Sequence, residues 1–313
     1  MLAELLSKEC SIFLIVAAGY LAARFRLFPH NGTAVLSKFL FNIASPSMVF
    51  ITMQGWDFEG QLVQDTLWTF VSFTAATILL GLLSFLIVRP FQVPESEKGI
   101  YRVQLVFKNV GFMGIPVTAA VFGEMATLLI LLINIAFVIL IYSFGVFMML
   151  YQKGEEVFDR TFLKRMLNNG FIASILGLII FMTGFRFPEM INGGLQQLSN
   201  TMIPLGMFII GVQLSETNLL SLLSRRNLWV CFLSLIVVPL LTLGFCRVMP
   251  LSNIVAATLV FAMAMPGSAL SAVMAEEFGR NTRVVSESVA LSTFFSLFTL
   301  LLWAVILLRI FPF

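Results

Sequence analysis

Ten times along the chain, around residues 11–28, 34–54, 67–88, 101–122, 126–150, 170–187, 195–214, 228–248, 254–275 and 284–308, the sequence runs apolar for about 18 to 25 residues. Each run can cross roughly 30 Å of hydrocarbon as a helix rising 1.5 Å per residue. Charged residues make up only 11% of the chain, against about 25% in a soluble domain. The expectation is an all-α membrane protein with ten transmembrane helices. The leader MLAELLSKE mixes Glu4 and Glu9 with Lys8, which a cleaved signal does not, so the first span is expected to stay in the mature chain.

With the N-terminus outside, the inside loops hold Arg24, Arg26, Lys38, Arg89, Lys98, Arg102, Lys153, Arg160, Lys164, Arg165, Arg225, Arg226, Arg280 and Arg283. The outside holds only Lys8, Arg186, Arg247 and Arg309. That bias puts both termini on the non-cytoplasmic side of the cell (inner) membrane. The net charge of +3 is spread over these loops, so it reports orientation and not nucleic-acid binding. Cys10, Cys231 and Cys246 lack metal-ligand spacing and read as small hydrophobes.

The chain repeats itself. FRLFP at Phe25 returns as FRFP at Phe185, Asn42 with Pro46 returns as Asn200 with Pro204, FMGIP at Phe112 returns as AMAMP at Ala262, and FGE at Phe122 returns as FGR at Phe278. Residues 1–150 and 170–313 are therefore read as two five-helix repeats joined by a polar inside linker, 151–169. Five is odd, so the second repeat enters the membrane from the opposite side and the repeats are inverted. Many secondary transporters are built this way, with sites near the midplane formed by broken helices at matching places.

Span 4 of each repeat carries such a break. In VFKNVGFMGIPVTAAVFG, residues 106–123, Asn109, Gly111, Gly114 and Pro116 interrupt a helix starting near Tyr101; in the second repeat Pro266, Gly267 and Ser268 interrupt one starting near Ile254. Proline removes an N–H and clashes with the preceding turn. The freed backbone groups must face protein or a wet cavity. Half-helices starting at Pro116 and Gly267 would aim free N–H groups and a positive dipole end at a shared anion. The expected site is Asn109 with the backbone of Gly114, Ile115, Pro116 and Val117 and of Pro266, Gly267 and Ser268.

Two uses compete for Lys108: contact with the anion, or snorkelling to the inner interface about 10 Å away near Tyr101. Asn42 and Asn200 each share a helix face with a proline four residues on, either as packing groups or as cavity lining. Asp57, Asp65 and Asp159 lie in loops, and Glu287 sits one turn after Arg283, a spacing for ion pairing. A carboxylate proton relay lacks its parts. A coupling Na⁺ held by carbonyls and the hydroxyls of Ser268, Ser271, Ser288, Ser292, Thr293 and Ser296 stays open beside plain back-bonding of these groups to their own helix. No metal, other cofactor or catalytic residue is expected. There is no HExxH pair, and the single histidine, His30, falls in a loop.

NVGFMGIPV (Asn109–Val117), PGSALSAVMAEEFG (Pro266–Gly279) and SVALSTFFSLFTL (Ser288–Leu300) resemble the auxin efflux carrier family of permeases, which includes bacterial malate and malonate carriers and plant auxin exporters. The resemblance covers essentially the whole chain. It implies a scaffold of helices 1, 2, 6 and 7, a moving transport domain of helices 3–5 and 8–10, and broken helices 4 and 9 that cross at Pro116 and Pro266. It also implies that Asn109 contacts an organic anion and that a homodimer forms through the scaffold. Plant exporters carry proline where Lys108 stands and Pro-Gln where Pro266-Gly267 stands, so a mono- or dicarboxylate is expected in place of auxin. The reading is a permease moving a small organic anion by alternating access; an anion channel or a sensor on the same fold is the alternative.

Overall fold

A computed structural model of the chain describes residues 14–29, 32–54, 61–151, 169–215 and 222–312. The linker residues 152–168, His30, Asp57, Cys10 and both extreme termini lie outside them. Among the described residues the regular structure is helical, with no strand and one isolated β-bridge. Each of the ten apolar runs falls on a helix or a helix pair.

In chain order these are α1 (Leu14–Arg24), then α2 (Gly32–Phe39), α3 (Ser45–Met53), α4 (Gln61–Ile87), α5 (Glu95–Val106), α6 (Ile115–Leu140), α7 (Val146–Leu150), α8 (Asn169–Thr183), α9 (Glu189–Asn200) and α10 (Met202–Ser215). The rest are α11 (Arg225–Phe232), α12 (Val238–Val248), α13 (Asn253–Ala264), α14 (Leu270–Glu277) and α15 (Thr282–Ile310). Gln64–Ile87, Met125–Leu150 and Arg225–Val248 are each long and apolar enough to cross a membrane unaided.

Four π-turns join helices within spans, at Leu40–Ala44, Val110–Gly114, Ile141–Gly145 and Leu233–Val237. Three of them end two residues before a proline: Pro46, Pro116 and Pro239. The last wide bond of each turn runs from Ser45 N to Leu40 O, from Ile115 N to Val110 O and from Val238 N to Leu233 O. The next donor in line would be the proline, which has none. Widening the turn makes room for the ring, and the helix continues through it. Proline therefore does not break span 4. The backbone departs from helix earlier, at residues 107–109, and α6 is already entered through the π-turn that begins at Val110.

Burial is greatest where the helices are interrupted. Gly99–Val106 of α5 and Val255–Ala264 of α13 are buried throughout, whereas α9 has no buried residue. A helix apolar on every side belongs in a core. The α4 helix has the opposite pattern to a soluble one. Thr66, Thr69, Thr77 and Ser84 are buried, and Leu67, Leu79, Leu82 and Leu86 are exposed. Small polar residues pack and leucines face outward when the surroundings are lipid.

Helix ends recur at the repeat spacing. Chain turns after α1 and α8 use Arg26 (φ 57°) and Gly184 (φ 63°), 158 positions apart. Gly123 (φ 81°), the non-helical residue within α6, and Gly279 (φ 62°), just after α14, lie 156 apart. A Cβ at either of the latter would meet nothing within 4 Å, so the left-handed backbone alone calls for glycine there.

Candidate functional site

Where α5 ends, Phe107 turns extended (φ −91°, ψ 110°), and where α13 ends, Met265 does the same (φ −60°, ψ 155°). The two extended segments meet antiparallel. Asn109 N donates to Pro266 O at 2.9 Å and Ser268 N donates to Phe107 O at 3.0 Å, around the bridge between Lys108 and Gly267. Each segment thus supplies the partners its own helix has lost, the condition for irregular backbone at membrane depth. Asn109 (φ −77°, ψ 58°) makes an inverse γ-turn, closed by Val110 N to Lys108 O at 2.8 Å. Met113 N and Gly114 N then both reach Asn109 O.

The crossing therefore lies at Lys108 and Gly267, with the Pro266 carbonyl as one of its partners, and Pro116 lies beyond it inside α6. These positions are 159 apart, in step with the FRLFP and Asn/Pro matches; aligning FMGIP with AMAMP puts the two spans out of step with the crossing.

In extended chain, consecutive side chains point to opposite faces. Asn109 faces a cavity lined by Ser45, Met48, Val49, Gly111, Asn134, Phe137, Val138, Met202, Ser268 and Leu270. Its side chain is 2% exposed and its Nδ2 is buried with no hydrogen-bond partner among the described residues. The cavity offers about 20 Å³ to water-sized solutes, room for about one water. Lys108 points the other way, 1% exposed, and its ammonium donates to Ser234 O at 2.8 Å and to Ser234 Oγ. It neither snorkels nor enters the cavity.

Among the expected site residues, Asn109 and Ser268 come together in the cavity wall. Gly114, Ile115, Val117, Pro266 and Gly267 are not among its lining residues; Gly111 supplies the backbone approach in their place. Asn42 Nδ2 donates to Lys38 O at 2.9 Å and its Oδ1 accepts from Asn169 at 2.8 Å, while Asn200 Oδ1 accepts from Gln196 at 2.8 Å. Neither asparagine is among the residues lining the cavity, and Asn200 is exposed at the end of α9.

The free amides expected at the second half-helix are largely taken: Gly267 N donates to Ser292 Oγ and Leu270 N to Ser268 Oγ, each at 3.2 Å. Gln104 Nε2 donates to Ser271 Oγ. Ser292, Thr293 and Ser296 donate back to carbonyls of their own helix. Arg283 Nε meets Glu287 Oε1 at 3.0 Å, as their spacing indicates. No cluster of three or more His, Cys, Asp or Glu that could hold a metal occurs among the described residues.

Sequence reasoning missed Asn134 and the Ser45–Tyr142 pair. Asn134 is a lone amide in the middle of an apolar run, 2% exposed and part of the cavity wall. An intramembrane amide was the signal that could have found it. Ser45 Oγ and Tyr142 OH share a buried hydrogen bond of 2.6 Å across 97 residues, which no local pattern announces.

Comparison with known proteins agrees on the kind of protein this is. A family described as membrane transport protein matches residues 6–304. An uncharacterized transporter of Methanothermobacter thermautotrophicus is 26% identical over 298 residues, 95% of this chain and 96% of that one. An uncharacterized transporter of Methanocaldococcus jannaschii is 24% identical over 307 residues, 95% of this chain and 97% of that one.

Proposed function

Because the chain belongs to the membrane transport protein family and is a membrane transporter, we propose that it carries a small organic anion, a mono- or dicarboxylate, by alternating access. In this reading ten spans form two inverted five-helix repeats, 1–150 and 170–313, in the cell membrane with both termini on the non-cytoplasmic side. Spans 1, 2, 6 and 7 form the scaffold, through which two copies pair, and spans 3–5 and 8–10 form the transport domain. Support for the repeat comes from the antiparallel meeting of residues 159 apart and from the left-handed helix ends 156 and 158 apart.

The observation that carries the substrate class is the Asn109 amide. A buried donor without a partner costs about 1–3 kcal/mol, and a ligand oxygen would remove that cost. Asn109 shares the cavity with Asn134, Ser45 and Ser268, and no carboxylate lines it among the described residues. Its polar groups are neutral amides and hydroxyls set in a mostly apolar wall, and the unpartnered Asn109 amide can donate to a carboxylate. Its lining is also divided: Ser45, Met48, Val49 and Met202 belong to spans 2 and 7, and the others to spans 4, 5 and 9. A carboxylate does not fit in about 20 Å³, so it enters only when the two groups of spans move apart, which is what alternating access requires.

The test is a thermal-shift screen of mono- and dicarboxylates on the purified protein, followed by flux in proteoliposomes with each compound that stabilises it. Saturation and counterflow are expected; a flux that rises linearly with concentration and shows no counterflow would indicate a channel.

A further inference from the structure

We propose that Lys108 is a tethered cation: its ammonium holds the place of a coupling Na⁺ at the crossing, so the site accepts an anion without sodium. What this says about transport rests on the carrier reading above, but what it says about cations does not.

Lys108 enters a ready-made oxygen site. In span 8 the π-turn ends with Val238 N bonded to Leu233 O; the following wide bond would run from residue 239 to Ser234 O, and residue 239 is proline. Ser234 O thus has no helical donor. The ammonium of Lys108 takes it at 2.8 Å together with the Ser234 hydroxyl. The neighbouring carbonyl, Leu235 O, which a normal helix would also have bonded to residue 239, accepts from the Trp303 indole at 2.9 Å. Both carbonyls freed by one proline have therefore recruited long-range donors, and one of those donors is the Lys108 amine.

These partners are neutral oxygens, a carbonyl and a hydroxyl, the ligands that hard cations take. A buried ammonium normally requires a carboxylate. None meets Lys108 among the described residues, so a protonated Lys108 has no counter-charge beside it. Asn109, the adjacent residue, turns its unpartnered amide into the cavity on the other side of the same backbone. An anion seated there supplies the missing negative charge. Of the hydroxyls that could have held a mobile sodium, Ser268 caps Leu270, Ser271 holds Gln104 and Ser292 caps Gly267, whereas Ser288 Oγ is buried with no hydrogen-bond partner among the described residues. Lys108 is thus a positioning residue for the anion, acting through the crossing and not by contact.

Thermal melting in sodium, methylammonium and choline chlorides tests this without any substrate. The wild type should melt at the same temperature in all three; stabilisation specific to sodium would overturn the proposal. Lys108→Ala opens the oxygen site, and sodium or methylammonium should raise its melting temperature by about 2 °C or more over choline. A folded alanine variant indifferent to all three cations would equally overturn it.

Lys108→Met fills the same volume without the charge and covers the case in which the alanine variant does not fold. Malonate and malate should protect the methionine variant at least tenfold less tightly than the wild type, and equal protection would sink the idea. Proteoliposomes that show no carboxylate flux would refute the carrier reading and leave the cation result standing.

Discussion

The break in span 4 and the break in span 9 share one backbone arrangement and differ in everything attached to it. Each leaves its helix at an extended residue, each gives the other one N–H and one carbonyl, and each is shielded by a half-helix with no exposed side. At positions 159 apart, however, span 4 has Lys108 and Asn109, and span 9 has Gly267 and Ser268. The first break carries a charge and an unpartnered amide. The second is closed down, with Gly267 N and Leu270 N both capped by serine hydroxyls. One backbone arrangement is thus divided between a segment with polar side chains at the crossing and a segment that gives it space.

The largest effect should come from filling that space. An ideal Cβ at Gly267 would overlap Gln104 Oε1, and Gln104 is 2% exposed and anchored to Ser271, so it has nowhere to retreat. Gly267→Val should cost about 3 kcal/mol, the upper range for overpacking, measured as a fall in melting temperature. Gln104→Ala in the same chain should recover part of it; failure to recover would mean that the two segments do not meet as described.

Removing the chemistry should leave stability alone. For Asn109→Ala the expected result is a tenfold or greater loss of affinity for the transported anion, the equivalent of about 1.5–3 kcal/mol for a hydrogen bond to a charged group, with an unchanged melting temperature. An unaltered affinity would remove Asn109 from the site. Ser268→Ala strips the cap from Leu270 N, and a melting-temperature drop equivalent to about 1 kcal/mol is expected, with a smaller loss of affinity than Asn109→Ala gives. Should Ser268→Ala weaken binding as much as Asn109→Ala does, the division between the two breaks would be wrong.

The smallest effect tests the likeness of the halves. Alanine at Gly123 or at Gly279 should each cost about 1 kcal/mol, the strain of an L residue at positive φ, because neither site offers a steric clash. Equal penalties by denaturation would fit equivalent positions; a penalty at one only would separate them.

The positions of the helices were legible in the chain because burial in lipid demands long apolar runs, and each of the ten runs lies on helix. The FGE and FGR strings marked Gly123 and Gly279 as matching positions, but their positive φ, which glycine meets without strain, emerged only from the backbone. Asn109 was legible as a polar residue with no local use. The place of the crossing was not. Pro116 looked like the break, yet a π-turn absorbs a proline within its own span, and the helix passes through.

Local chemistry, then, determined what the chain settles within a turn or two of itself: which stretches are helices, where they end and which residues are foreign to lipid. Tertiary structure decided where span 4 opens, because extended backbone survives at that depth only beside a second segment that returns its hydrogen bonds, here 159 residues away. It also decided that Lys108 turns to Ser234 while Asn109 turns to the cavity, and that Asn134 and Ser45, the latter bonded to Tyr142, arrive there. Those outcomes depend on partners that no span carries within itself.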